Sequence, residues 1–296
     1  MSSTSLPAEL IEAIIDEVGL SHDRPTLKAC SLVSLAFVFP SQKHLFHEID
    51  LEKPDPRISR KTCYQRFHKL LLAKPHLGIH IRELRIGDDS EDDFGWGSGK
   101  SWIMQTKSTL SRTLSLLPKL EAFSLSFSAD MVSWKSIPAE TRAAIGSLFR
   151  LPSLKAASLE FITSFPPQLL LSLLRLQYLS LSCVEVDTGT LITSDVSYLQ
   201  DRWETNLRSV FLRGVSPPTI TSIADVLSES SPHTLKKITA TPSFESGFGG
   251  AIDELLRSSG SNLTTFEWSP SIHFRESSLT WLKMFYSDNR YFQNLQ

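Results

Sequence analysis

Residue types that do chemistry are all present in this chain, but their spacing sets up none of the familiar reactions. His47-Glu48 starts as a zinc-peptidase helix would, yet Ile49, Asp50 and Leu51 follow, so no second imidazole stands one turn on to share a metal. The acid run Asp88, Asp89, Glu91, Asp92 and Asp93 would need Gly at the sixth position and an acid at the twelfth to wrap calcium; those positions hold Asp93 and Gly99. The glycine-rich tract ending Gly99-Lys100-Ser101 ends like a phosphate loop, but Phe94 stands where its first glycine must be. There is no Gly-x-Ser-x-Gly elbow and no Cys-x-x-Cys pair. Cys30 lies in an apolar helical run, where a thiol behaves as a small hydrophobe. Asn262-Leu263-Thr264 fits a glycosylation sequon, which a chain without a secretory leader would not have modified. The expectation is a non-catalytic protein with no cofactor and no metal.

The remaining chemistry is charge. From Arg57 to Arg85 eight Lys or Arg face a single acid, Glu83. Phe67, Leu70 and Leu71 mark one face of a helix there, with Arg60, Arg66 and Lys69 opposite. A second group, Arg208, Arg213, Lys236 and Lys237, is placed to receive an acidic or phosphorylated segment of a client. A net charge of −2 over 296 residues argues against a general nucleic-acid or membrane-surface binder. The longest apolar run, Leu169 to Leu174, is broken by Ser172 and too short to span a bilayer. Three widely spaced cysteines and no basic or apolar leader in MSSTS fit a cytoplasmic or nuclear location.

Two kinds of element must position these groups. At the front, Ser5 caps and Pro7 opens a helix in which Leu10, Ile11, Ile14, Ile15 and Val18 recur at three- and four-residue spacing until Gly19. Pro25 and Thr26 open a second run with Leu27, Cys30, Leu32, Val33 and Phe37, which Pro40 should stop. A third short segment, Lys43 to Ile49, carries Leu45 and Phe46. Three short helices in about 45 residues enclose little core, so part of this apolar surface should meet another protein.

The blocks LPAELIEAII, TLKACSLVSLAF and HLFHEIDL, in this order and spacing, resemble the F-box, with Leu6-Pro7 as its opening pair and Leu27, Cys30, Val33 and Ser34 in its second block. The tryptophan usual after that block is Phe37 here. The resemblance implies docking on a Skp-type adaptor, and through it a cullin, by Leu6, Pro7, Leu10, Ile14, Leu27, Cys30, Val33, Phe37 and Leu45.

Beyond residue 80 the chain is self-similar. An apolar residue, two variable residues, an apolar residue, one variable and an apolar residue recur as Ile81-Leu84-Ile86, Leu120-Phe123-Leu125, Leu154-Ala157-Leu159, Leu176-Leu179-Leu181, Leu207-Val210-Leu212, Leu235-Ile238-Ala240 and Leu263-Phe266-Trp268. Helical periodicity lies between copies, at Leu110, Leu114 and Leu117, at Ile220, Ile223, Ala224 and Leu227, and at Ile252, Leu255 and Leu256. The unit is a strand plus a helix, stacked into a parallel curved sheet with helices outside. It resembles the leucine-rich repeats that follow the F-box in many substrate adaptors, in an irregular form.

The expected fold is therefore α+β or an α/β repeat, in three parts: a three-helix F-box over 1–52, a linker with an amphipathic helix over 53–79, and an irregular leucine-rich-repeat-like solenoid of about seven repeats over 80–296. Asn294-Leu295-Gln296 echoes Asn262-Leu263-Thr264 and then stops, which points either to a helix with Leu279, Trp281, Leu282 and Phe285 as the end cap or to a fragment of a longer chain. Ser124, Ser158, Tyr178, Ser180, Phe211, Arg213, Lys237, Thr239 and Glu267 should line the exposed inner face and meet an unknown protein substrate. The implied function is that of a substrate-recognition adaptor of a ubiquitin ligase. The alternative is an interaction scaffold whose degenerate F-box no longer joins one.

Overall fold

The computed structural model describes residues 6–52, 60–88, 101–105, 109–127, 131–187, 205–229, 234–241 and 246–268. Ser5, Asp89 to Lys100 and the segment from 269 to the C-terminus, with the echo and cap expected there, lie outside the described residues.

The chain opens with α1 (Ala8–Leu20), α2 (Arg24–Val33) and α3 (Leu35–Leu45). Pro7 is the N-cap of α1, its carbonyl accepting from the N–H of Leu10 and Ile11. Gly19 does not end this helix. It is the place where α3 comes closest, since a β-carbon there would fall on the His44 ring, and His44 pairs with Asp16 across the same contact. The turn follows at His22, held at φ 57°. Asp23 caps α2 by accepting from the Thr26 amide.

The second helical run breaks earlier than its proline predicts. Ser34 is extended and separates α2 from α3, while Pro40 lies buried inside α3. The segment after Leu45 is not helical either. Glu48–Asp50 forms strand β1, which pairs with β2 (Glu83–Asp88) in parallel. The sheet thus begins inside the stretch assigned to the F-box.

The fold is α/β around a nine-stranded parallel sheet. After β2 come β3 (Ala122–Phe127), β4 (Val132–Ser133), β5 (Ala156–Phe165), β6 (Tyr178–Val186), β7 (Ser209–Arg213), β8 (Lys237–Thr241) and β9 (Thr265–Trp268). They lie in the sheet in chain order, with β4 beside the far half of β5. Between them run α4 (Arg60–Ala73), α5 (Trp102–Gln105), α6 (Thr109–Ser115), α7 (Ala139–Leu148), α8 (Pro167–Leu173), α9 (Pro217–Glu229) and α10 (Phe248–Ser258).

All seven copies of the apolar pattern become strands in one register. The second members Leu84, Phe123, Ala157, Leu179, Val210, Ile238 and Phe266 form one cross-strand row, and the third members from Ile86 to Trp268 form the next. Alternation places both rows on one face. There, from β2 to β8, they meet the inward residues of the helices, Leu71, Leu114, Ile145, Leu170, Ile223 and Leu255 among them, in one continuous core, while Phe266 and Trp268 of β9 stay exposed. Neither strand nor helix could bury its apolar side without the other. Helix α4 belongs to this layer and is no linker, because Tyr64, Phe67 and Leu71 are buried in the same core and only Leu70 of the expected face remains partly exposed.

Candidate protein-interaction surfaces

The three N-terminal helices have a small core of their own, made of Ile11, Ile15 and Leu27, with Val18, Cys30, Phe37 and Leu45 packed against it. Leu6, Leu10 and Ile14 recur every four residues and form a stripe along α1 that is about half exposed. At the break between α2 and α3, Leu32, Val33 and Leu35 are 86, 70 and 91% exposed. Isolated exposed leucines are ordinary, but six apolar side chains concentrated on a unit whose own apolar core has three buried residues are not.

Of the nine residues implied as docking contacts, Leu6, Pro7, Leu10, Ile14 and Val33 are exposed, whereas Cys30, Phe37 and Leu45 are half-buried. Leu27 is 2% exposed and packs inward, which corrects its placement at the surface: α2 leans on α1 through this residue. Leu32, Leu35 and Phe39 are also exposed, though outside the set of nine, because the run to Pro40 reads as one helix apolar nearly all round and hides the break at Ser34.

This unit is fixed to the sheet at several points. The His47 carbonyl accepts from the amides of Arg82 and Glu83, Phe46 packs on the main core, and the Phe39 ring meets His80 edge-on at 4.9 Å.

The face of the sheet away from the helices differs from the open surface expected of it. Ser124, Ser158, Tyr178, Ser180, Arg213 and Thr239 are buried, and Phe211, Lys237 and Glu267 are half-buried. Side chains as short as serine, flanked on both sides at about 4.8 Å, lie in the shadow of their neighbours. Ala122, Ala156 and Tyr178 form a small apolar cluster on this face, with Phe211 against it.

Charges here are compensated locally. Arg85 reaches Glu48 at 2.8 Å and Asp50 at 3.4 Å. Lys237 reaches Glu267 at 2.8 Å, and this bond, joined by one from Thr239, holds the Glu267 carboxylate below its ordinary range although burial opposes it. Burial, with the Glu48 carboxylate beside it, pushes the Glu83 carboxyl up to about 8 against the pull of Arg85. Burial lowers His47, whose Nδ1 is 3.8 Å from Glu83, and raises the Cys183 thiol. The side-chain oxygens of Ser124 and Ser158 and Oε2 of Glu83 are buried without a hydrogen-bond partner.

The four basic residues expected to act together do not assemble. Arg213 and Lys237 belong to the sheet face, whereas Arg208 and Lys236 stand exposed one residue before their strands. Among the described residues no three His, Cys, Asp or Glu side chains come together as a metal site. A cavity of about 380 Å³ between the first turns of α9 and α10 is lined by Pro217, Thr221, Asp225, Gly250 and Ala251, without a second titratable side chain. No described helix is long and apolar enough to cross a membrane. A scan against protein-family models and a search of curated proteins find no match to this chain.

Proposed function

We propose that this protein is a substrate-recognition adaptor of a Skp–cullin–F-box ubiquitin ligase. Helices α1 to α3 dock the Skp-type adaptor, and the strand-and-helix repeats, read as an irregular leucine-rich-repeat solenoid, hold a client protein. The protein makes and breaks no bonds. It raises the concentration of client lysines near the charged conjugating enzyme by holding both in one assembly. The observation that carries this reading is the outward apolar surface of Leu6, Leu10, Ile14, Leu32, Val33 and Leu35 on a unit with so small a core.

A second reading, an interaction scaffold detached from ubiquitin transfer, draws on Leu27 and Phe37, two motif positions turned into the unit's own core. Co-purification separates the two, because an engaged adaptor brings the cullin with it and a scaffold does not.

The direct test is co-expression with a Skp-type adaptor and pull-down. Burying a leucine side chain contributes roughly 1.5–3 kcal/mol, so Leu6→Ala with Pro7→Ala should reduce capture by at least an order of magnitude. Capture at the wild-type level in that double variant would count against the assignment.

A further inference from the structure

The backbone hydrogen bonds define a rung just before the strands. The Arg82 carbonyl accepts from Glu121, Glu121 from Lys155, Lys155 from Gln177, Gln177 from Arg208, Arg208 from Lys236, and Lys236 from Thr264. Each of these residues follows the first apolar member of its repeat, so the rung was present in the sequence as one position sampled seven times.

This edge of the sheet is where helices end and strands start. Among the described residues that lead directly into strands β3 and β5 to β8, the stretches 116–121, 149–155, 174–177, 205–208 and 234–236 hold six Lys or Arg and one acid, Glu121. Glu121 is engaged by Lys155 at 2.6 Å and Arg82 at 3.5 Å. Lys119, Arg150, Arg208 and Lys236 are exposed, and among the described residues their side chains have no ion-pair or hydrogen-bond partner. Cations beside helix C-termini offset the helix dipole in part, which accounts for Arg150. It does not account for Lys155, Arg208 and Lys236, which start strands.

We infer that this edge is a docking rim for an extended Asp/Glu-rich segment of a partner protein. Neighbouring strands are about 4.8 Å apart, so Lys155 to Lys236 spans three steps, about 14 Å, which five residues of extended peptide cover at roughly 3.3 Å each. Acidic side chains of such a segment repeat every two residues along one side, about 6.6 Å apart, so those of a five-residue stretch fall within reach of the long side chains of Lys155, Arg208 and Lys236, with Gln177 between them. A phosphate group fits this edge poorly. It calls for donors converging on one point, ideally a bidentate arginine or a helix N-terminus. Here the cations are spread over successive strands, and helices crossing between parallel strands turn their carbonyl ends to this edge. The rim rests on the reading of the repeats as the client-holding part and names the chemistry of that client. It does not depend on adaptor docking.

The test is fluorescence anisotropy of the full chain with a labelled peptide of alternating Glu and Ser. Exposed charge pairs contribute up to about fivefold each. Arg208→Gln with Lys236→Gln should therefore weaken binding about tenfold, and raising the salt should remove most of the difference. Arg66→Gln with Lys69→Gln removes the same charge from the exposed side of α4 and should change affinity less than about twofold. The inference falls if the wild-type chain does not bind the peptide, if Arg208→Gln/Lys236→Gln binds as wild type, or if both double variants lose equally. It falls also if a neutral peptide with one phosphoserine binds more tightly. No adaptor is in the assay, so its failure is distinct from failure of the adaptor pull-down.

Discussion

Glu83 makes the stability of this protein depend on pH in a direction opposite to that of most carboxylates. Its side chain is buried at the start of β2, and Oε2 has no hydrogen-bond partner. Arg85, the nearby cation, is already committed to Glu48 and Asp50. The folded carboxyl therefore keeps its proton up to about 8, whereas the unfolded chain releases it near the model-peptide value of about 4.3. Between these values the folded state binds the extra proton, so stability is fully present below the unfolded pKa and is lost as pH rises through the folded one. A shift of this size corresponds to about 5 kcal/mol, an upper bound that movement of the carboxylate toward water would reduce.

His47 works the other way over part of the range, since its lowered pKa costs stability as the solution becomes acid. His47 lies 3.8 Å from Glu83, so the clean quantity is the effect of Glu83→Gln measured in a His47→Gln background, where the histidine does not titrate. Urea unfolding at pH 5, 6.5 and 8 should show Glu83→Gln close to that background at pH 5 and more stable by at least about 2 kcal/mol at pH 8. A difference that stays constant from pH 5 to 8 would refute the buried neutral carboxyl.

Two further predictions separate core from surface and locate a tight contact. Ile15→Ala, at a fully buried position, should cost about 2–5 kcal/mol in urea unfolding; Leu10→Ser with Ile14→Ser should cost less than about 1 kcal/mol while abolishing adaptor capture. At Gly78 a β-carbon would lie 2.1 Å from the backbone oxygen of Leu116, a group that cannot swing aside. Gly78→Ala should lower the melting temperature by about 4 °C or more, as expected of overpacking near 2 kcal/mol.

Periodicity carried most of the fold. Each repeat copy announced its strand because two of its apolar positions fall on one face and pair with their equivalents next door. The failures have specific causes. Pro40 is a natural stop, but an extended Ser34 ended α2 first and left the proline inside α3. Glu48-Ile49-Asp50 is too short to display alternation, and it becomes a strand because β2 is there to pair with it. The burial of Ser124, Ser158 and Ser180 follows from strands about thirty residues away in sequence, which no local pattern encodes. On α1 spacing placed Leu10, Ile11, Ile14, Ile15 and Val18 on one stripe, of which Ile11 and Ile15 turn inward; the outward set Leu6, Leu10 and Ile14 followed from the F-box resemblance, whereas the bare corner at Leu32, Val33 and Leu35 required the helix break.

The attachment of the helical unit bears on how such an adaptor would work. A flexible linker would let the two ends of an assembly search a large volume, and effective concentration falls as that volume grows. Here β1 is hydrogen-bonded to β2, the Arg82 and Glu83 amides donate to His47, Phe39 meets His80, and α4 fills the space where a linker was expected. Several attachments of different kinds must break together before the helices can swing. The exposed stripe of α1 and the basic rim of the repeats are thereby held in one frame, so a client bound along the rim would meet the ligase at a set distance and angle. Lysine choice on that client would then follow from geometry more than from the sequence around each lysine.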